Sequence, residues 1–340
     1  MSQHAKKTNK IWWLVLIVIF IILAILGITI GSFVAGKLSN LNIKMLQEDE
    51  LEINQDLYTN VEDVLTKKEF SDVKKIVLFG VDTQGDGDGQ DNPDFLGRSD
   101  SIIIVSLNPK YKSLKMISIP RDTYAEIEGH GKMKINHAYA IGEEQLAIKT
   151  INSNFGLDIM EYVTIDFAGL AHVINDIGGV ELTISQKEQK FINNGSKAVY
   201  SLTGNPQKLL TSYGTVTLDG EQALTHSRNR SVGDDFTRAG RQRDVLEAIL
   251  SKMSKMSLGE ISDMLDLFLQ EVTTNVNVTD YIGTITEVLM NKHAYLNNIV
   301  SAQVPSKDYA TGEYIDGIYY FVPSDTDRMK QDMLDYLYKQ

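Results

Sequence analysis

An apolar segment near the start of this 340-residue chain limits what its first part can fold into. Residues 11–36, IWWLVLIVIFIILAILGITIGSFVAG, carry no charged side chain. A helix of about 20 such residues spans the hydrocarbon core of a bilayer. Lys6, Lys7 and Lys10 precede the segment, and positive residues beside a span favour the cytoplasmic side. We therefore predict a cytoplasmic tail at residues 1–10, a single transmembrane anchor at 11–36 and an extracytoplasmic remainder.

A cleaved signal peptide is the competing interpretation of this segment. The apolar run is long for a signal peptide, and residues 31–36, GSFVAG, offer only a weak small-residue cleavage site. The uncleaved anchor fits the segment better.

Composition excludes several classes of function. The chain contains no cysteine, so thiol catalysis, Cys-ligated metals and disulfide bonds are excluded. Its formal net charge is -12, which argues against a nucleic-acid partner, as does an extracytoplasmic location. The roughly 300 residues beyond the anchor are enough to bury a large core.

The extracytoplasmic part divides into a spacer and one large domain. Residues 37–72 are polar with scattered Leu and Ile, and we predict a partly helical spacer there. The domain is expected over residues 73–340. It begins with three short β-branched apolar runs that are typical of buried strands, at residues 75–81, 101–107 and 114–119.

Helical and strand patterns then alternate along the domain. Helical patterns cover residues 142–154, 167–177, 219–227, 237–256, 261–270, 279–291 and 325–338. Further strands are predicted at residues 162–166, 180–184, 299–304 and 318–322. Residues 191–213 show no clear pattern and are predicted to be irregular. This mixture predicts an α/β fold in which helices pack on both faces of a central sheet.

The arginines are placed selectively. Five of the eight in the chain lie within sixteen residues, namely Arg228, Arg230, Arg238, Arg241 and Arg243. Two more stand beside carboxylates, Arg98 in GRSD and Arg121 in PRDT. The planar guanidinium pairs two-pronged with phosphate or carboxylate and keeps its charge. This placement in an acidic chain indicates a site for phosphate or pyrophosphate, with salt bridges on a solvated helix face as the alternative.

Several of these polar residues fall at the ends of the first three strands. Asp82 ends the first strand, Asp100 with Arg98 precedes the second, and Arg121 with Asp122 follows the third. If the strands pair as antiparallel neighbours, these side chains gather at one edge of the sheet. Asp166 ends a later strand of unknown direction and is a further candidate for that edge.

Asp82 and Asp100 are candidate ligands of a divalent cation. Mg²⁺ takes oxygen ligands and usually uses one or two carboxylates together with substrate phosphates, and Mn²⁺ is an alternative. The structural alternative is that Asp82 caps a loop and that Asp100 pairs with Arg98. The acidic loop at residues 83–94 resembles a calcium loop in part, but Pro93 stands where an EF-hand has its bidentate glutamate.

The arginine-rich segment supplies a second anion-binding element. Asp234 or Asp235 can cap the helix that begins near residue 237. Arg238 and Arg241 share one face near its N-terminus, where free backbone N–H groups also favour anions. A pyrophosphate held between this helix and the sheet edge would be neutralised from both sides, as phosphoryl transfer requires. The six histidines show no metal-ligand spacing, and His137 is expected to pack within the fold.

Longer blocks of the sequence resemble the LytR-CpsA-Psr family. They are GVD at residues 80–82, GRSDSIIIVSLNP at 97–109, SIPRDTY at 118–124, KINHAYAIG at 134–142, VTIDF with INDIGGVE between 163 and 181, and LDGEQALTHSRNR with DDFTRAGRQRDV between 218 and 245. The blocks occur in the family's order over a motif core at residues 73–255. The resemblance implies an α/β/α sandwich with a central mixed sheet, in a single-pass, outward-facing protein of Gram-positive-type envelopes.

The resemblance also implies site residues and an activity. Asp82 and Asp100 match the family's magnesium-binding aspartates. The implied pyrophosphate-binding residues are Arg98, Arg121, Arg228, Arg230, Arg238, Arg241 and Gln242. An apolar channel for the lipid tail is expected between the sheet and its covering helices. The family reaction moves a glycan, such as wall teichoic acid or capsular polysaccharide, from a polyprenyl pyrophosphate carrier to a peptidoglycan sugar hydroxyl and releases polyprenyl phosphate.

Three aspects of the function have alternative interpretations. Arg98 and Arg121 are assigned catalytic roles, while Asp122 or Asp234 either accepts the hydroxyl proton or pairs with a neighbouring arginine. Water could replace the sugar acceptor, which would make the protein a polyprenyl-pyrophosphate hydrolase. A non-enzymatic envelope regulator or lipid-binding scaffold is the third interpretation.

Overall fold

A computed structural model describes residues 42–54, 72–82, 97–229, 235–291, 294–295 and 297–338. The cytoplasmic tail and the transmembrane anchor predicted for residues 1–36 lie outside these ranges. Within the described ranges, no helix combines the length and the apolar character needed to cross a bilayer.

A mixed seven-stranded sheet forms the centre of the domain. Its strands, in spatial order, are β1 (Asn42–Ile43), β10 (Val272–Thr274), β7 (Glu161–Asp166), β2 (Lys74–Asp82), β3 (Arg98–Asn108), β4 (Ser113–Ser118) and β11 (Ile299–Gln303). β2, β3 and β4 are antiparallel neighbours, as the placement of polar residues at their ends required. β7 runs parallel to β2, and β11 runs parallel to β4.

Helices cover both faces of this sheet, and three antiparallel strand pairs form separate two-stranded sheets. The helices are α1 (His137–Phe155), α2 (Phe167–Asp176), α3 (Gln186–Thr203), α4 (Gly220–Ser227), α5 (Asp235–Lys255), α6 (Leu258–Glu271), α7 (Val278–Met290) and α8 (Thr326–Tyr338). Two of the pairs are hairpins, β5 (Tyr124–Ile127) with β6 (Gly131–Lys134) and β12 (Ala310–Ile315) with β13 (Ile318–Pro323). The third is β8 (Val180–Ile184) with β9 (Gly214–Leu218), and α3 lies between these two strands in the chain. The predicted mixed sheet between helices is confirmed.

One face of the sheet packs against α1 and α8. Phe79 and Ile104 point to this side and are fully buried, as are Ile151, Phe155 and Met333 from the two helices. Alternation along each strand sends the next residue to the opposite face, which α2, α4, α5 and α6 cover. The sheet therefore separates two differently packed layers.

The prediction that residues 191–213 are irregular is wrong for their first part, because α3 continues to Thr203. Ser185 caps this helix, and its hydroxyl and main chain form a capping box with Glu188. The buried side chains in α3, such as Ile192 and Tyr200, are few, and charged residues surround them. Asn193, Asn194 and Gly195 lie in the middle of this helix, and a run of such turn-forming residues predicts a loop from the sequence alone.

Residues 42–54 of the predicted spacer pack on the domain. β1 pairs with β10 in parallel, and Leu51 is fully buried in the main core. The side-chain amide of Asn152 donates to the carbonyl of Leu51 at 2.9 Å. This part of the segment therefore contributes to the folded framework, while residues 55–71 lie outside the described ranges.

Candidate active site and its relatives

The predicted charged edge of the sheet is present at one end of β2, β3 and β4. Asp82 is the direct antiparallel partner of Arg98, and Asp100 lies two residues farther along β3. Arg121 and Asp122 follow the end of β4, which pairs with β3. The antiparallel order brings all five residues to the same edge, so the conditional prediction about strand direction is confirmed.

Arg121 connects two of the carboxylates at this edge. Its Nη1 lies 2.5 Å from Oδ1 of Asp100, and its Nε lies 3.6 Å from Oδ2 of Asp122. Lys134, which the sequence did not single out, places its Nζ 2.7 Å from Oδ1 of Asp122. Asp122 is therefore held by two cations, an arrangement that favours the pairing interpretation of its role.

Arg228 approaches the same edge from the end of α4. Its Nη2 donates to Oδ2 of Asp82 at 2.9 Å, and its guanidinium lies 4.6 Å from the ring centroid of Phe167. The Arg228 side chain keeps 41% of its surface exposed, whereas Asp82 is buried. The exposed part of the guanidinium is open to an incoming anion, while its other side remains paired with Asp82.

Arg241 and Gln242 lie in the N-terminal half of α5 and have different hydrogen-bond partners. Arg241 is buried, and its Nε donates to Glu188 at 2.9 Å while its Nη1 donates to the carbonyl of Asn229 at 3.0 Å. It thereby fixes the chain beside Arg228. Gln242 donates through Nε2 to the carbonyl of Asp100 at 3.3 Å.

Three predicted site residues cannot be placed. Arg230 and Asp234 lie outside the described residues, and although Arg238 falls within α5, its side chain is not described. Asp166 does reach the edge, because it pairs with Val81 in the parallel β2–β7 ladder. Its carboxylate, however, caps α2 by accepting from the main-chain N–H of Gly169 at 2.8 Å.

Asp82 and Asp100 present a ligand set that fits Mg²⁺. Both are carboxylates at the same edge, and each is held by one guanidinium, from Arg228 and Arg121 respectively. Among the described residues, no group of three His, Asp or Glu side chains is arranged to bind a metal. The remaining positions would fall to phosphate oxygens and water, which is how proteins usually hold Mg²⁺. The loop considered for calcium, residues 83–94, lies outside the described ranges.

Gly97 allows β3 to begin directly beside Asp82. Its φ is +89°, and a Cβ at this position would lie 2.9 Å from the carbonyl oxygen of Asp82. A larger residue would be strained here and would push the two strands apart. The Asp82–Arg98 pairing therefore depends on this glycine.

An apolar cavity of about 260 Å³ adjoins the charged edge. It lies between the sheet and the helices α2, α5 and α6, and its walls include Leu78, Ile103, Val163, Leu246 and Phe268. Gln242 and Ser227 also line the cavity. Gln242 donates to the main chain of Asp100, and Ser227 directly precedes Arg228 in the sequence. The channel that the family resemblance predicted thus has a counterpart, although no single segment of sequence revealed its lining.

His137, which the sequence predicted to pack or hydrogen-bond within the fold, is a neighbour of the site. It begins α1, and the two residues before it hydrogen-bond to the main chain of Thr123 and Arg121. Burial, together with the nearby cations Arg98 and Lys134, lowers the pKa of His137. The imidazole is therefore neutral at neutral pH. Ile135 and Asn136 bring His137 beside residues 121–123. The sequence alone does not show this contact.

Comparisons with known proteins agree with this geometry. The family model described as the LytR_cpsA_psr family matches residues 38–334. The polyisoprenyl-teichoic acid–peptidoglycan teichoic acid transferase TagT of Bacillus subtilis (strain 168) is 31% identical over 327 residues, which cover 94% of this chain and 92% of the relative.

Two solved structures share the fold. TagT bound to LIIa-WTA has a TM-score of 0.61 and 29% identity, and the match covers 82% of this chain and 93% of that one. The LytR-CPS2A-psr family protein YwtF (TagT) with bound octaprenyl pyrophosphate lipid has a TM-score of 0.58 and 27% identity, covering 82% and 94%. This chain belongs to the LytR-CpsA-Psr family.

Proposed function

We propose that this protein transfers a glycan polymer from a polyprenyl pyrophosphate carrier to a peptidoglycan sugar hydroxyl. The observation that carries the proposal is the contact between an arginine-rich edge and an apolar cavity, joined at Gln242. A polyprenyl pyrophosphate has the same two parts, a charged head and an apolar tail. The relatives support the cargo, since TagT is named as a teichoic acid transferase and one related structure holds octaprenyl pyrophosphate.

The pyrophosphate would displace carboxylates from the arginines that now hold them. Arg121 and Arg228 are each paired with an aspartate that is a proposed metal ligand. With both an anion and a cation bound, Arg121 and Arg228 would pair with phosphate oxygens, and Asp82 and Asp100 would hold the cation. Charge at the edge would stay balanced, because arginine–phosphate and aspartate–metal pairs would replace the two arginine–aspartate pairs.

The reaction is an in-line displacement at the phosphorus that bears the glycan. The acceptor oxygen forms a new P–O bond, the bond to the bridging pyrophosphate oxygen breaks, and polyprenyl phosphate leaves with that oxygen. Arg98, Arg121 and Arg228 stabilise the negative charge that collects on the phosphate oxygens. Asp82 and Asp100 would hold Mg²⁺, which would supply further charge neutralisation, and Mn²⁺ has the same preference for oxygen ligands.

The acceptor hydroxyl must lose a proton. Asp122 is a weak candidate for the base because Lys134 and Arg121 already engage it. Asp234 remains the other candidate.

The proposed location is the outer face of the cell membrane, with residues 11–36 as the single-pass anchor.

A transfer assay tests the function. The full chain in detergent would be given Mg²⁺, a labelled polyprenyl pyrophosphate-linked oligosaccharide and a peptidoglycan oligomer. We expect label on the oligomer, and a loss of about 10³-fold in rate for Arg121→Ala, as for removal of a charge-stabilising group in phosphoryl transfer. Arg328→Ala is the matched control, since Arg328 is half-exposed in α8 and pairs only loosely with Asp308, at 3.8 Å.

Each alternative function has its own outcome in this assay. Free phosphorylated glycan in the absence of an acceptor would identify a hydrolase. Lipid binding without transfer to any acceptor would favour the scaffold. Undiminished transfer by Arg121→Ala would contradict the assigned role of that arginine.

A further inference from the structure

Buried polar atoms without a hydrogen-bond partner occur in the layer between α5 and the strands β4 and β11. Within the described part of the chain, Nη1 of Arg243, Oγ of Ser118 and both amide atoms of Gln303 are buried and form no hydrogen bond. Buried polar groups are nearly always paired, because an unpaired one loses its water without compensation. Several such atoms in one place indicate a partner that binds there.

Ser118 and Gln303 are held side by side by the sheet. They are direct partners in the parallel β4–β11 pair. Ser118 is also opposite Ile103, which lines the apolar cavity beneath α5. Residues opposite one another in a ladder point to the same face, so both polar side chains face the α5 layer.

The register of α5 on the sheet brings Arg243 over these two residues. Oγ of Ser301 in β11 donates to Glu247 of α5, which fixes one point of contact. Arg243 precedes Glu247 by one helical turn, about 6 Å, and Gln303 follows Ser301 by two strand residues, about 7 Å. The contact of Gln242 with Asp100 shows that both steps lead towards the charged edge.

The guanidinium of Arg243 also turns in that direction. A Cβ built on Gly240, one turn earlier in α5, would lie 3.9 Å from Nη2 of Arg243. The side chain therefore runs back towards the start of α5, as helical side chains generally do. Ser118 is three residues before Arg121 in the sequence, so the cluster lies next to the arginine that faces the phosphate.

We propose that Arg243, Ser118 and Gln303 form a saccharide subsite for the sugar next to the reacting phosphate. This subsite rests on the transferase function proposed above. It would bind the sugar, which is the part of the substrate that the arginines of the charged edge do not hold. A guanidinium offers donors, an amide offers a donor and an acceptor, and a hydroxyl offers both. Hydroxyl and acetamido groups of a sugar complement this set.

A neutral sugar fits the local charge better than a second phosphate does. The carboxylates of Asp244 and Glu247 act on the guanidinium of Arg243 and offset its charge. The sugar could belong to the glycan of the donor or to the peptidoglycan acceptor, since both present the same groups. The two sources are separated by the choice of probe.

Calorimetric binding to the full chain in detergent tests the subsite without requiring turnover. UDP-N-acetylglucosamine serves as the donor-side probe, a sugar on a diphosphate, and an N-acetylglucosamine disaccharide serves as the acceptor-side probe. We expect Arg243→Gln to bind one of them about tenfold more weakly, the effect of losing a hydrogen bond to a charged group. Lys255→Gln, an exposed charge at the far end of α5, is the matched control and should bind both normally.

The probe that is weakened assigns the sugar to the donor or to the acceptor. Equal binding of both probes by wild type and Arg243→Gln overturns the subsite, as does the absence of binding to wild type at millimolar concentrations. Probe binding by a wild-type protein that shows no transfer would retain the subsite and reject the transferase. The two proposals therefore fail separately.

Gln303→Leu separates recognition from a structural role. Replacing an unpaired buried amide by an apolar group of similar shape leaves the melting temperature unchanged or raises it. We expect this variant to fold at least as stably as wild type while losing affinity for the same probe as Arg243→Gln. A lower melting temperature with unchanged affinity would show that Gln303 only supports the fold.

Discussion

The two faces of the central sheet are built from the same strands but packed differently. On the α1 and α8 side, Phe79, Ile104, Ile151 and Phe155 are buried to 2% exposure or less. On the other side, Leu78, Ile103 and Val163 border a cavity of about 260 Å³. One face is a filled core that stabilises the domain, whereas the other keeps an apolar space beside the charged edge.

The difference between the two faces shows how stability and binding are separated in this molecule. Alternate residues of β2 and β3 belong to different faces, so a single strand serves both purposes. A void in an otherwise close-packed interior forfeits contacts and lowers stability. An apolar ligand that enters the cavity would restore those contacts, so the open face is suited to binding a lipid tail.

Truncation on the filled face should give the largest effect on stability. Phe155 is fully buried at the end of α1, and Phe155→Ala is expected to lower the free energy of unfolding by about 3–5 kcal/mol. Met253→Ala, which removes a side chain beside existing empty space, should cost less. Denaturant titration measures both, and equal losses would contradict the contrast between the faces.

Acid should destabilise the layer that covers the open face. His226 in α4 is buried, and burial lowers its pKa from an ordinary 6.5 to about 4, with Arg241 adding to the effect and Glu188 opposing it. Between these values the unfolded chain binds a proton that the folded chain does not. Stability is therefore expected to fall by roughly 3 kcal/mol from this group as the pH drops from about 7 to 4.

The slope of stability against pH, measured by thermal unfolding, checks this expectation. His226→Gln should reduce the slope between pH 4 and 6.5. His172→Gln is the control, because 42% of the His172 side chain is exposed and it contacts Glu271 at the surface. A slope that survives His226→Gln would assign the acid sensitivity to other groups.

Adding volume should affect the two faces differently. On the filled face it should lower stability, and on the open face it should weaken ligand binding. Ile104→Phe overfills the closed core and is expected to cost about 1–3 kcal/mol. Val163→Phe enters the cavity, so stability should change little while binding of a polyprenyl pyrophosphate weakens about tenfold or more. Tight lipid binding by Val163→Phe would show that the tail lies elsewhere.

The sequence was sufficient where a local signal existed. β-branched runs located β2, β3 and β4, and the residues at their ends identified the charged edge. The start of α4 was predicted at its capping residue, Asp219, whereas α6 begins at Leu258, three residues before the predicted start. The prediction missed the start of α3, because turn-forming residues at 193–195 lie in the middle of that helix. It placed the start of α1 at residue 142, where Gly142 and Glu143 kink the helix.

Contacts between distant segments had no such signal. Lys134 reaches Asp122 from a hairpin, and Arg241 reaches Glu188 from another helix, 53 residues away. Neither pairing follows from residue type, because any cation in the chain could have faced either carboxylate. The predictions for Arg230, Arg238 and Asp234 likewise stay predictions, since their side chains are not described.

The sequence by itself determined the class of fold and the chemistry of the edge, because strand periodicity and the placement of arginines beside aspartates are local properties. Only the tertiary structure decided that Arg121 holds Asp100, that Arg228 holds Asp82 and where the apolar cavity lies. These depend on strand order and on the register of α5 across the sheet. Packing of the whole chain sets both, and no window of sequence contains them.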